Sequence, residues 1–182
     1  MARTPKLPTE ERLTRAAMFY LDRYSSSAAN LRKVLARKVH KAALAFDRNP
    51  DEFSAMIDAV VVKCQRAGIV DDRSYAETKM AGMRRRGRSR RQIEAQLQAK
   101  GVSRDVIESV VANDTSSDQD AADAYARRRR FGPWRQPDDR PKFRDKDMAA
   151  LCRAGFSFDV ARKAIDREPD EADGADGWQR QD

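Results

Sequence analysis

Six arginines fall within eight positions: Arg84, Arg85, Arg86, Arg88, Arg90 and Arg91. Guanidinium groups do one kind of chemistry well, which is to donate paired hydrogen bonds to carboxylates and phosphates. A second basic run, Arg127 to Arg130, closes another segment, with Arg127, Arg128 and Arg130 as candidate contacts and Arg135 a few residues on. Lys33 and Arg37 share a face with Lys41 earlier in the chain. Cations in the last turn of a helix also complement its dipole, at about 0.3–1 kcal/mol each. That plainer account covers much of Arg127–Arg130, because Asp118, Asp120 and Asp123 open the same segment. It does not cover Arg88, Arg90 and Arg91, which run into the start of the next helix, where positive charge opposes the dipole. Consecutive helical residues diverge by about 100°. Arg84, Arg85 and Arg86 therefore fan out, which suits an extended acidic or phosphate-bearing surface and not a pocket.

Catalytic chemistry finds little to work with. The single histidine, His40, lies beside a basic helical face, and neither H-E-x-x-H nor C-x-x-C occurs. The adjacent carboxylates Asp71 and Asp72 read as a helix cap. Gly82–Ser89 nearly matches the phosphate loop G-x-x-x-x-G-K-[ST], but Arg88 replaces the lysine. The preceding Tyr75, Lys79, Met80, Met83 spacing is helical, whereas that loop follows a strand. Nucleotide binding is excluded on these grounds. The segments around Gly101-Val102-Ser103 have helix-turn-helix lengths. Their outward positions Asp105 and Glu108 would repel DNA phosphates, which argues against a major-groove reader. No cofactor or metal site is expected, and the chain is read as a non-enzyme.

Charged residues make up 36% of the 182-residue chain and hydrophobic ones 40%, so any core is thin. The net charge of +8 favours polyanionic partners. Residues 168–182 run the other way, with six acids and one base. Cys64 and Cys152 fit neither a disulfide framework nor a zinc site, which points to a reducing compartment and the cytoplasm. No apolar run nears the ~18 residues of a membrane span.

The elements that must position the arginines are helices. Leu13, Ala17 and Tyr20, then Leu31, Leu35 and Val39, recur at helical spacing. Asn49-Pro50-Asp51-Glu52 is a helix start with a capping box, and Gly68 suits a helix C-terminus. Ser89, Ser103, Ser117 and Ser157 are further caps. Nine helices result, and they repeat. Setting Ser27 on Ser89 also sets Leu31 on Ile93 and Leu35 on Leu97. Setting Gly101 on Gly155 also sets Ser103 on Ser157 and Val106 on Val160. The expected fold is all-α, an elongated array of three tandem three-helix modules over 9–68, 69–114 and 115–168. Residues 1–8 and the acidic tail 169–182, which holds Trp178, are expected to be disordered.

At this point the residues match a family. Leu31, Arg37 and Lys38, then Gly68, Asp71, Asp72, Tyr75 and Ala76, then Lys100, Gly101 and Val102, resemble the motifs of RecX regulatory proteins. The third module, with Arg127–Arg130, Gly132-Pro133 and Arg153–Ala161, is similar to the variant in alphaproteobacterial members. The resemblance covers residues 10–167. It implies tandem three-helix modules and a non-enzymatic protein that binds RecA recombinase filaments on single-stranded DNA. It further implies inhibition of strand exchange, ATP hydrolysis and coprotease activity. The chain itself is expected to be a monomer. Composition by itself leaves a second reading open, a basic helical protein that binds DNA directly.

Overall fold

Short polar side chains begin the helices. In the computed structural model, which describes residues 6–168, Thr9 accepts the Arg12 amide and opens α1 (Glu10–Leu21). Ser27 accepts the Asn30 amide and opens α2 (Ala28–Leu44). Asn49 and Glu52 form the expected capping box, but around a 3-10 turn, Pro50–Phe53, that leads into α3 (Ser54–Arg66). Then follow α4 (Asp72–Arg85), α5 (Arg90–Ala99) and α6 (Arg104–Ala112). Ser117 caps α7 (Asp118–Arg129), which ends on Arg130 in the left-handed region at φ 55°. Two 3-10 turns, Gly132–Trp134 and Pro137–Asp139, precede α8 (Arg140–Arg153), and Ser157 caps α9 (Phe158–Asp166). Among the described residues there are nine α-helices and no strand, the all-α class expected.

By contacts the chain divides into two compact units. One comprises residues 6–78 with 96–112, the other 79–95 with 113–168, so the division falls inside α4 and α5. The sequence repeat follows helix triplets, whereas compactness follows packing, and the two partition the chain differently. In the first unit Leu13, Leu31, Leu35, Val39, Ile57 and Val60 form the core. Each such leucine contributes about 1.5–3 kcal/mol by leaving water. In the second unit the core is alanine-rich, with Ala121, Ala122, Ala126, Ala161 and Ala164 around Leu151 and Ile165. Small side chains let α7 and α9 lie close.

The N-terminal disorder expected through Pro8 does not extend over Leu7 and Pro8. Leu7 packs on the first core, Pro8 is buried, and Arg12 Nη1 holds the Leu7 carbonyl at 2.8 Å. Cys64 is buried, as its apolar pattern suggests; Cys152 is exposed, one position off the inward stripe of α8, and both thiols are free. The acidic tail from 169 and Trp178 lie outside the described residues.

Candidate partner-binding surface

The two adjacent carboxylates divide their labour. Asp71 caps α4: it accepts the Arg73 amide at 2.9 Å and the Ser74 hydroxyl at 2.7 Å. The Ser74 hydroxyl first, then the Arg73 amide, hold its carboxyl below the usual range. Asp72 instead reaches the start of α2 and accepts the Ala28 amide at 2.7 Å. A carboxylate there satisfies an orphan amide and complements the helix dipole. Beside it Ser27 donates its hydroxyl to the Lys100 carbonyl at 2.5 Å, while its oxygen still accepts the Asn30 amide. Gly101 leaves no room for a side chain, since a Cβ would sit 2.4 Å from that of Ala29. Serine cap, aspartate and glycine turn make one joint, wholly within the first unit. Tyr75 and Ala76 are buried nearby in the chain, and burial pushes the Tyr75 phenol up.

The second unit repeats this joint with other residues. Ser89 donates to the Ala154 carbonyl at 2.7 Å and accepts the Gln92 amide at 3.3 Å. Asp118 accepts the Arg90 amide at 3.4 Å. A Cβ on Gly155 would lie 2.7 Å from the Ser89 hydroxyl. Ser27 answers to Ser89, Ala28 to Arg90, Asp72 to Asp118, and Lys100-Gly101 to Ala154-Gly155.

This second joint sorts the arginine cluster. Arg84 is only 6% exposed, so it leaves the expected binding surface. Its Nε donates to Asp114 at 2.8 Å, and its Nη1 meets Asp118 and the Arg88 carbonyl. Burial works to raise the Asp114 carboxyl; hydrogen bonds from Ser116 and Arg84 outweigh it, and the net shift is downward. Arg90 is half-buried and spends Nη2 on the carbonyls of Asp114 and Ser116. Arg135 is likewise structural. It forks onto Asp147 at 2.7 and 2.8 Å, and its guanidinium lies 4.4 Å from the Phe143 ring centre. Asp147, 1% exposed, also accepts the Gly132 amide at 3.1 Å. Each of these arginines has a carboxylate that the sequence reading did not pair with it.

The remainder stays outside. Arg85, Arg86 and Arg91 are exposed and make no ion pair among the described residues. The Arg88 side chain is exposed, makes no ion pair among the described residues, and donates from Nη1 to the Gln92 amide oxygen at 3.3 Å. Gly87, between them, abuts α7, where a Cβ would fall 2.6 Å from the Tyr125 amide nitrogen. The second run, Arg127, Arg128 and Arg130, is exposed on that same helix and its cap. Arg129, not singled out before, lies 5.7 Å from the Tyr125 ring centre. In the first unit Lys33 and Arg37 are exposed on α2.

Residues 71–111 match the family description RecX, second three-helix domain. The chain is 40% identical over 173 residues to the regulatory protein RecX of Myxococcus xanthus, covering 92% of both chains. The chain belongs to the RecX family. It is also 30% identical to the RecX of Agrobacterium fabrum, over 91% of this chain and 90% of that one. The RecX of Thermobifida fusca is 32% identical over 70% of this chain and 66% of its own. These values do not establish the alphaproteobacterial affinity suggested by the third module. No solved structure matches. RecX family regulatory proteins are non-enzymatic, and the matched domain begins on the Asp71-Asp72 pair and contains the Gly101 turn. No helix among the described residues is long and apolar enough to cross a membrane.

Proposed function

We propose that this RecX family chain binds RecA recombinase filaments on single-stranded DNA and inhibits ATP hydrolysis, strand exchange and coprotease activity. One observation carries the site: Arg85, Arg86 and Arg91 are exposed without an ion pair among the described residues, next to Arg84 and Arg90, which are drawn inward onto Asp114. Guanidiniums held at a fixed edge and left without internal carboxylates suit an acidic protein wall or DNA phosphates. Arg88, Arg127, Arg128 and Arg130 extend this surface, and Lys33 and Arg37 offer a second one on α2. The chain works as a monomer whose helix triplets, 9–68, 69–114 and 115–168, act as tandem modules.

Charge reversal at three exposed positions tests this. The variant R85E/R88E/R91E should retain its helical circular dichroism and lose potency against DNA-stimulated recombinase ATPase. Unchanged inhibition by a folded variant refutes the assignment. The same arginines also favour the second reading, direct DNA binding. That reading requires appreciable affinity for naked single strands, falling with salt by ~0.7 in log–log slope per phosphate neutralised. Co-sedimentation with filaments, but not with bare DNA at the same salt, removes it.

A further inference from the structure

The first unit carries a cleft that the arginine surface does not use. It opens between α1 and α2, is flanked by the Lys6–Pro8 lead-in, and encloses about 720 Å³. That volume lies within the ~300–1,000 Å³ typical of ligand-sized clefts. Its floor is apolar: Leu13, Ala16, Phe19, Val39 and Ala42. Phe19 is 61% exposed, with Arg23 stacked 4.1 Å from its ring centre. The rim is basic. Lys6, Arg12, Arg15, Lys38 and Lys41 line it, and no acid does so among the described residues. Arg12 is held by the Leu7 carbonyl and Arg15 by Glu11. Lys38 and Lys41 make no ion pair among the described residues.

We propose that this cleft docks an acidic peptide segment of a partner protein, an amphipathic helix whose apolar residues fill the floor and whose carboxylates meet Lys38 and Lys41. Charge complementarity decides the sign of the occupant. The floor decides its class: aliphatic walls in a concave cleft take side chains at i, i+3, i+4 and i+7. A nucleic acid would draw on the rim and on the single ring of Phe19, which Arg23 already stacks against, and would leave Leu13, Ala16, Val39 and Ala42 unused. The site shares no residue with Arg85–Arg91, and the proposal does not rest on recombinase binding.

A displayed random-peptide library is selected on the full-length chain, and enriched peptides are labelled for fluorescence polarisation. The expected yield is peptides rich in Asp and Glu with Leu, Ile, Phe or Trp at helical spacing. K38E/K41E should weaken their binding about tenfold, which corresponds to ~1.4 kcal/mol. F19A, which truncates an exposed ring and leaves the core intact, should weaken it as well. R85E/R88E/R91E should bind the peptides as the parent does, so failure here and failure of the filament reading remain separate. The proposal is overturned if no peptide is enriched, if the enriched peptides lack acids or apolar anchors, or if both cleft variants bind undiminished. It is also overturned if only a single-stranded oligonucleotide or anionic vesicles respond to the cleft variants.

Discussion

Replacing Arg84 with methionine keeps the aliphatic bulk and removes the charge. In the folded chain the Arg84 side chain is 5% exposed, Asp114 7% and Asp118 31%. Removing one partner of a buried ion pair costs about 3–5 kcal/mol, because the other charge stays buried. Here the loss is partly offset. Asp118 can turn to water, and Asp114 keeps the Ser116 amide and hydroxyl, with Arg90 at 3.8 Å. The expected cost is therefore about 2–4 kcal/mol, shifted roughly 1 kcal/mol below the range for a fully buried pair. At an m-value near ~2 kcal/mol/M the urea midpoint falls by roughly 1–2 M. R85M, one residue on but exposed, should stay within ~0.5 kcal/mol of the parent. The double variant R84M/D114N removes both charges and should recover part of the loss, since a buried pair can often be replaced together. Circular dichroism at increasing urea reads all three. Equal midpoints for R84M and R85M would refute the division of the cluster into structural and surface arginines.

Gly101 and Gly68 are both left-handed, at φ 76° and 68°, but only Gly101 faces a neighbour, the Ala29 methyl. Alanine at Gly68 should cost the ~1 kcal/mol of the conformation alone, and alanine at Gly101 clearly more in the same urea titration. Asp72→Ala removes the carboxylate at the start of α2 and should cost about 0.5–2 kcal/mol, the range for a lost cap; its readout is the thermal midpoint, and an unchanged midpoint counts against the joint. Stability should fall at both pH extremes. Asp114 has a lowered folded pKa, so its contribution is present above the unfolded value near ~3.9 and is lost as pH drops through the folded one. Tyr75 has a raised folded pKa, mainly from burial. Its contribution is present below ~10 and is lost as pH rises through the folded value. D114N should flatten the acid limb and Y75F the basic limb of a plot of unfolding free energy against pH.

Helices were legible because their signals are local. Caps at Thr9, Ser27, Asn49, Ser117 and Ser157 act within three residues, and apolar spacing reports a face directly. The sequence repeat rests on the same local signals, caps, turns and apolar positions. What the sequence hid lies across long separations. Asp72 joins the Ala28 amide 44 residues away, and Arg84 joins Asp118 34 residues away. Nothing in their local spacing marks these pairs, so Arg84 and Arg90 looked like their exposed neighbours. Asp147 did leave a signal. It lies four residues before the buried Leu151 on the inward stripe of α8. A carboxylate on such a stripe requires a cation, and the nearby Arg135 supplies it.

The two joints also explain why the arginines crowd around Gly87. In the first joint a lone aspartate, Asp72, meets an ordinary Ala28 amide, and the position that answers to Arg84 is the exposed Asp22. In the second joint Asp118 stands beside Asp114, so two carboxylates approach one helix start. Bringing two such charges together out of water requires a buried cation. Arg84 supplies it, and Arg90 steadies the Asp114–Ser116 turn from the other side. Arg84 and Arg90 are thus accounted for by folding alone. Nothing in the joint calls for charge at Arg85, Arg86, Arg88 or Arg91, which sit interleaved with the structural pair and point their surplus outward. The dense run is thus two sets of arginines threaded through one segment, one folded inward and one exposed, and the proposed function rests on the exposed set.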